Sequence, residues 1–251
     1  MIHLVVLSAG VMLHSLKLSA LLSQGGSVML IDMNKSLLDD TVASLGSQAR
    51  GLTVDVTSEE EVSAALDQAQ SNFGAAVNTA VSCAGIAVAQ RTLSKRGAHS
   101  LSDFQKVLTV NTVGSFNVSR LAAEHMSKSE ADAHGMRGVI VNTASVAAFD
   151  GQIGQVAYAA SKAAIAGMTL PIARDLSGHG IRVMTIAPGL FKTPLLAGLP
   201  EKVQNELAAT VPCPKRLGDP DEFAMLVESI VLNRMLNGEV IRLDGALRMQ
   251  P

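Results

Sequence analysis

Aromatic side chains are almost missing from this chain: no tryptophan, one tyrosine and six phenylalanines among 251 residues. Leu, Val, Ile, Ala and Met must therefore fill the interior, and such small apolar residues also suit helices buried in subunit contacts. Cysteine is as scarce. Cys83 and Cys213 make no disulfide framework and point to a reducing compartment. The six histidines are scattered without ligand spacing, so no metal site is expected. A net charge of −2 with no basic block gives no footprint for nucleic acid. No run is long and clean enough to span a membrane, so no membrane association is expected.

The apolar N-terminus lacks the marks of a signal peptide. It has no basic start, His3, His14 and Lys17 interrupt it, and no small-x-small cleavage site follows. Ile2–Leu7 reads as a buried strand and Val11–Gln24 as a helix.

What is present is core-forming: 48% hydrophobic against 17% charged, which argues against disorder. Continuous apolar runs such as Val28-Met29-Leu30-Ile31 suit strands covered on both faces. Strands are expected at Ile2–Leu7, Ser27–Ile31, Gly51–Val54, Thr79–Ser82, Gly138–Asn142, Arg182–Ile186 and Val240–Arg242. Helical patterns fall between them, at Lys35–Leu45, Ser58–Phe73, Leu101–Lys128, Gln155–Leu176 and Pro220–Asn233. This alternation predicts an α/β fold, a doubly wound parallel sheet of about seven strands with helices on both faces. With no repeat and no linker, residues 1–251 read as one domain. Ile86–Ser100 is irregular and basic. Residues 188–218 carry five of the eight prolines and read as a substrate loop.

The chemistry gathers around Tyr158. Lys162 follows it by four residues, one turn along the same helical face, and Ser145 precedes it near a strand end. A free phenol titrates near ~10, and proton exchange near neutral pH asks for a drop of ~2–3 units. A neighbouring ammonium and the positive ring of an oxidised nicotinamide both favour the phenolate. An ordinary exposed helix pair would explain Tyr158 and Lys162 alone; Ser145 on the preceding strand argues for a site. Asp32 ends the second strand, where a carboxylate can accept from both hydroxyls of an adenosine ribose and repels a 2′-phosphate, favouring NAD over NADP. Asp55, after the third strand, and Val56 are placed to meet the adenine.

These residues resemble the short-chain dehydrogenase/reductase pattern of Ser145, Tyr158-x-x-x-Lys162 and a helical Asn111. Within that family the chain looks most like the mitochondrial type-2 3-hydroxyacyl-CoA dehydrogenases, also called 17β-hydroxysteroid dehydrogenases of type 10. Residues 83–89, Asn142–Phe149, 168–176, 182–191, 216–220 and the tail Gly238–Pro251 carry the likeness. The resemblance implies NAD as cofactor, a homotetramer, mitochondrial location and hydride exchange between 3-hydroxyacyl-CoA and 3-ketoacyl-CoA or hydroxysteroids. Tyr158 would be the general acid/base. Lys162 would hold the nicotinamide ribose and lower the Tyr158 pKa, and Ser145 would bind the substrate oxygen. Asn111 would hold a water behind Lys162. Cys83 would touch the cofactor through its backbone, Phe191 and Thr193 would hold its nicotinamide end, and Gln155 would touch substrate.

One element departs from the pattern. The family's Thr-Gly-x-x-x-Gly-x-Gly loop corresponds to Leu7–His14, with Ser8, Met12 and His14 at the glycine positions. Those glycines make a tight turn and let the backbone approach a pyrophosphate. The amides of Val11 and Leu13 remain candidates for the phosphates. Two smaller departures are Ser82, where the family has Asn, and Lys192, where the subgroup has Gly. Two readings follow: an NAD-dependent oxidoreductase, or a cofactor-poor subunit serving as a scaffold. Retention of Ser145, Tyr158, Lys162, Asn111 and Asp32 favours the first. Two or three lost contacts at about 1–1.5 kcal/mol each would weaken NADH roughly tenfold to a thousandfold. Restoring Gly at positions 8, 12 and 14 is therefore expected to tighten NADH binding in a fluorescence titration. Unchanged or weaker binding would refute this account of the loop.

Overall fold

A computed structural model describes the backbone of residues 3–7, and residues 25–251 except 194, 195, 197 and 199. The expected helix Val11–Gln24 and the loop from Ser8 to His14, with Val11 and Leu13, lie outside the described residues. The strands, in chain order, are β1 (His3–Leu7), β2 (Ser27–Asp32), β3 (Ala49–Thr53), β4 (Thr79–Ser82), β5 (Leu93–Ser94), β6 (Gly97–Ala98), β7 (Gly138–Thr143), β8 (Ile181–Pro188) and β9 (Val240–Leu243). Seven of them form one parallel sheet in the order β3-β2-β1-β4-β7-β8-β9, while β5 and β6 make a small antiparallel ribbon. The chain winds outward from β1 in both directions, so the order reverses between β1 and β4. Sheets wound in this way bind their ligands outside the carboxyl ends of the strands at such a reversal.

The helices are α1 (Lys35–Leu45), α2 (Glu59–Phe73), α3 (Leu101–Leu108), α4 (Gly114–Ser127), α5 (Val156–Leu176), α6 (Glu201–Ala209) and α7 (Pro220–Leu232). Alternate residues of each strand face opposite cores, which explains the unbroken apolar runs. Met29, Ile31 and Ile140 pack with Val62 and Leu66 of α2 and Val118 and Leu121 of α4. Val28, Leu30 and Val141 pack on the other face with Leu38 of α1 and Phe223 and Val227 of α7. Helix starts follow their caps: Asn34 accepts from the Leu37 amide, Ser58 from Glu61, and Asp219 forms a capping box with Glu222. At the far end of α7 the buried Arg182 guanidinium donates to the carbonyls of Ile230, Val231 and Leu236.

Several boundaries differ from expectation. Leu101–Lys128 is not one regular helix, because a π-helical turn, Thr109–Val113, separates α3 from α4. An amphipathic pattern tolerates one extra residue in a turn, so periodicity does not betray it. Residues 188–218 contain α6, and the irregular Ile86–Ser100 holds the β5–β6 ribbon. Helix α5 with the short turn after it, Val156–His179, is long and apolar enough by length and composition to cross a membrane, contrary to the sequence reading. It packs on the sheet instead, with Ile165, Thr169 and Ala173 buried. The mixed character arises because this helix carries core residues on one side and many small apolar residues on the other.

Gly114 begins α4 where it crosses the end of β3. A Cβ there would lie 2.7 Å from Val56 Cγ2. Gly114→Ala is expected to destabilise the protein by about 1–3 kcal/mol, read as a lower Tm.

Candidate active site

All the functional candidates among the described residues lie at or beyond carboxyl ends of strands, or on α5 and the π turn facing them. Ser145 lies two residues past β7, where its Oγ accepts from the Ala147 amide at 3.1 Å and caps a short turn, Val146–Ala148. Tyr158 and Lys162 occupy successive turns of α5. The Lys162 Nζ stands 5.8 Å from the centre of the Tyr158 ring. The Ser145 side chain lies close enough to the Tyr158 phenol to favour its ionised form.

Lys162 is buried, and its Nζ donates to the Thr143 carbonyl at 2.8 Å. Thr143 is the last residue of β7, so the strand end itself holds the ammonium. Gly85 lets the chain pass beside it, since a Cβ there would lie 3.3 Å from both Lys162 Nζ and Asn111 Oδ1. The Thr143 hydroxyl donates to Cys83 Sγ at 3.3 Å. Burial pulls Lys162 down to about 8, with a small opposing contribution from Cys83. Burial also pushes the Cys83 thiol up to about 11, against the Thr143 hydrogen bond and the Lys162 charge.

Tyr158 behaves differently from the sequence expectation. Burial raises its pKa above the ordinary value, and Ser145 only partly opposes this. The protein's own groups thus keep the phenol protonated near neutral pH. Desolvation outweighs an ammonium whose direct hydrogen bond goes to a backbone carbonyl.

Asn111 sits in the π turn and is fully buried. Its Oδ1 accepts from the Ile86 amide at 2.8 Å, and its Nδ2 donates to the Ile86 carbonyl at 2.9 Å and to Ser161 Oγ at 2.9 Å. The Asn111 carboxamide is therefore held by Ile86 and Ser161. Gln155 precedes α5 and pairs with Gln152, its Oε1 accepting from the Gln152 amide at 3.1 Å.

Asp32 ends β2, buried, with Oδ1 accepting from the Asn34 amide at 2.8 Å. Asp55 accepts from the Thr57 amide at 2.9 Å and hydroxyl at 2.8 Å. Val56 is a core residue packed over Gly114 and is 5% exposed. Phe191 lies in the opposite core against Gly218, bridged to it backbone to backbone. Thr193 accepts from the Leu196 amide at 3.3 Å. The fold therefore gathers Ser145, Tyr158, Lys162, Asn111 and Cys83 into one cluster. Asp32 ends β2, Asp55 and Val56 follow β3 at the same carboxyl edge, and Phe191 and Thr193 follow β8.

Sequence reasoning missed Thr143 and Ser161, although Ser161 stands immediately before Lys162. It also missed Arg242 on β9, which donates to Asp150 at 2.6 Å and Asp244 at 2.8 Å. That pair ties the loop between Ser145 and Tyr158 to the C-terminal tail. No motif announces a partner brought in by β-sheet register.

The Lys162 shift from 10.5 to about 8 corresponds to a destabilisation of about 3 kcal/mol in the charged form. That cost is fully present below pH 8. It falls as pH rises from 8 toward 10.5, where the folded protein holds fewer protons than the unfolded chain. Lys162→Met should therefore raise Tm at pH 7 while abolishing any turnover, and its advantage should shrink above pH 8. Equal or lower stability at pH 7 would show that the ammonium is not strained by burial.

A profile for short chain dehydrogenases matches residues 18–204, beginning after the Ser8–His14 segment. The chain is 59% identical over 233 residues to the 3-hydroxyacyl-CoA dehydrogenase type-2 of Bos taurus, covering 92% of this chain and 89% of that protein. It is 58% identical over 233 residues to the protein of that name from Drosophila melanogaster, covering 92% and 91%. A crystal structure of 3-hydroxyacyl-CoA dehydrogenase type-2 from Mycobacterium avium superimposes with a TM-score of 0.93 at 39% identity, over 100% of this chain and 96% of that one. Similarity of this extent, on a sheet wound in this order, makes the chain a member of the short-chain dehydrogenase/reductase family.

Proposed function

We propose that the protein is an NAD-dependent oxidoreductase that interconverts 3-hydroxyacyl-CoA and 3-ketoacyl-CoA, with hydroxysteroids as a second substrate class. The observation that carries this reading is the Ser145–Tyr158–Lys162 cluster beside the switch point, with Ser145 and Lys162 buried and Tyr158 half-buried. The similarity to type-2 3-hydroxyacyl-CoA dehydrogenases supplies the substrate class.

The residues present fit a dinucleotide. Asp32 offers a buried carboxylate at the end of β2, suited to a ribose diol. The Ser82 hydroxyl, buried at the end of β4 beside β1, has no partner among the described residues. Gly85 keeps the approach to Lys162 open. A bound nicotinamide supplies or accepts the hydride at the substrate carbon. Ser145 Oγ donates to the substrate oxygen and orients it toward the Tyr158 phenol. Tyr158 then gives its proton to that oxygen in the reductive direction, or removes it in the oxidative one. Lys162 would hold the nicotinamide ribose, with the Thr143 carbonyl fixing the position of its ammonium. Basic residues Arg91, Lys95 and Arg96 around the β5–β6 ribbon supply charge for CoA phosphates.

A homotetramer accompanies this reading. The groove between α4 and α5 is lined by Phe116, Ile172 and Leu176, and Phe116 and Leu170 are exposed. A monomer in sedimentation equilibrium would remove it. Mitochondrial location rests on the subgroup resemblance.

Acetoacetyl-CoA reduction followed by NADH loss tests the function. Tyr158→Phe should lower kcat by roughly 10²–10⁴-fold, and NADPH should serve poorly. Because burial raises the Tyr158 pKa, reduction should hold steady through neutral pH and fall only in alkali, while oxidation should climb with pH. Absence of turnover at millimolar NADH would sink the enzyme reading and leave the scaffold subunit in its place.

A further inference from the structure

Ser161 lies between Tyr158 and Lys162 in sequence and is fully buried. Its Oγ donates to the Tyr158 carbonyl at 2.7 Å, a local bond of the kind a helical serine often makes. The same Oγ accepts from Asn111 Nδ2 at 2.9 Å, a contact between residues 50 positions apart. From the same π turn, Thr112 Oγ1 donates to the Ser161 carbonyl at 3.2 Å. Asn111 spends its other bonds on both backbone groups of Ile86. Ile86 follows Gly85, and the same point beside Gly85 borders both Asn111 Oδ1 and Lys162 Nζ. A chain of hydrogen bonds results, running from the Tyr158 carbonyl through the Ser161 hydroxyl and the Asn111 carboxamide to the Ile86 backbone, and it ends beside the Lys162 ammonium at Gly85.

We propose that Ser161 is a positioning residue: its hydroxyl orients Asn111 against Gly85 and Ile86, and so fixes the Lys162 ammonium relative to the Tyr158 phenol. Its kinetic meaning rests on the oxidoreductase reading above; its structural meaning does not. A serine at this position has two jobs that alanine cannot do. It closes a helical turn locally, and it satisfies a carboxamide hydrogen in a dry site. Only the second reaches Lys162.

The composition supplies a clean reporter, since Tyr158 is the only tyrosine and there is no tryptophan. Full-length protein labelled with carbon-13 at tyrosine Cζ gives one resonance, from the catalytic phenol. Ser161→Ala should shift that resonance at neutral pH, and Ser161→Thr, which keeps the hydroxyl, should return it toward the wild-type position. Thr112→Val removes a bond from the same turn to the Ser161 backbone and should leave it in place. In acetoacetyl-CoA reduction, Ser161→Ala should lower kcat by up to roughly 10²-fold, leave KM within about twofold, and displace the alkaline limb of the pH profile. If Ser161→Ala does not fold, Ser161→Cys, similar in size with weaker hydrogen bonds, is read in the same way. A wild-type resonance in a folded Ser161→Ala or Ser161→Cys protein overturns the proposal. So does an equal shift in Thr112→Val, which would indicate general loosening of the helix contact. Should the wild-type protein prove inactive, the function proposed above fails, and the resonance comparison still decides the role of Ser161.

Discussion

One hydrogen bond governs the architecture of the site: the Lys162 ammonium on the Thr143 carbonyl. An ammonium is costly in a dry interior, and this one has been pulled down to about 8 by burial. Its surroundings share the cost of keeping it there. Gly85 withholds a side chain so that backbone can lie beside the charge. Thr143 ends β7, whose register with β4 and β8 is fixed on both sides. The position of the charge is thus inherited from the sheet rather than from a loop, as a site needing sub-ångström placement requires.

The same bond explains why Tyr158 is protonated rather than primed. With Nζ directed to a carbonyl, the phenol is left to burial and to Ser145, and burial wins. This arrangement suits a general acid, which must hold its proton until a carbonyl oxygen develops charge. Working in the other direction requires a further positive charge close to the phenol. On the proposed function an oxidised nicotinamide would be such a charge, and it would link the acid/base function electrostatically to cofactor occupancy.

Much of this was legible in the sequence, for reasons that differ by residue. Tyr158 and Lys162 were readable because a helix fixes the spacing of one turn, and Ser145 because a strand end precedes that helix. Asp32 was readable because a carboxylate closes a buried strand. The parallel sheet followed from apolar runs that only double coverage explains. Thr143 was not readable, since its contribution to Lys162 is a backbone carbonyl and any residue type provides one. Ile86 was hidden for the same reason. The π turn escaped because one added residue leaves the apolar pattern of Leu101–Lys128 nearly intact. Val56 is expected beside the adenine by its place in the chain, and its packing over Gly114 was not readable because it depends on a missing side chain on another helix.

On the proposed function the Ser8–His14 segment would bear on the cofactor, while the partners of Lys162 come from the turn after β4, from β7, the π turn and α5. The hydrogen bonds described there are made by residues from Ile86 onward. Ser82 is the point where the two regions meet: it pairs with Leu7 at the end of β1, and its hydroxyl is the buried oxygen without a described partner. A polar atom in that place costs stability unless something bonds to it. The partners of Lys162 are thus set by the sheet, the π turn and α5. On the proposed function Lys162 would also hold the nicotinamide ribose, so a change among those partners would act on cofactor binding as well as on proton transfer.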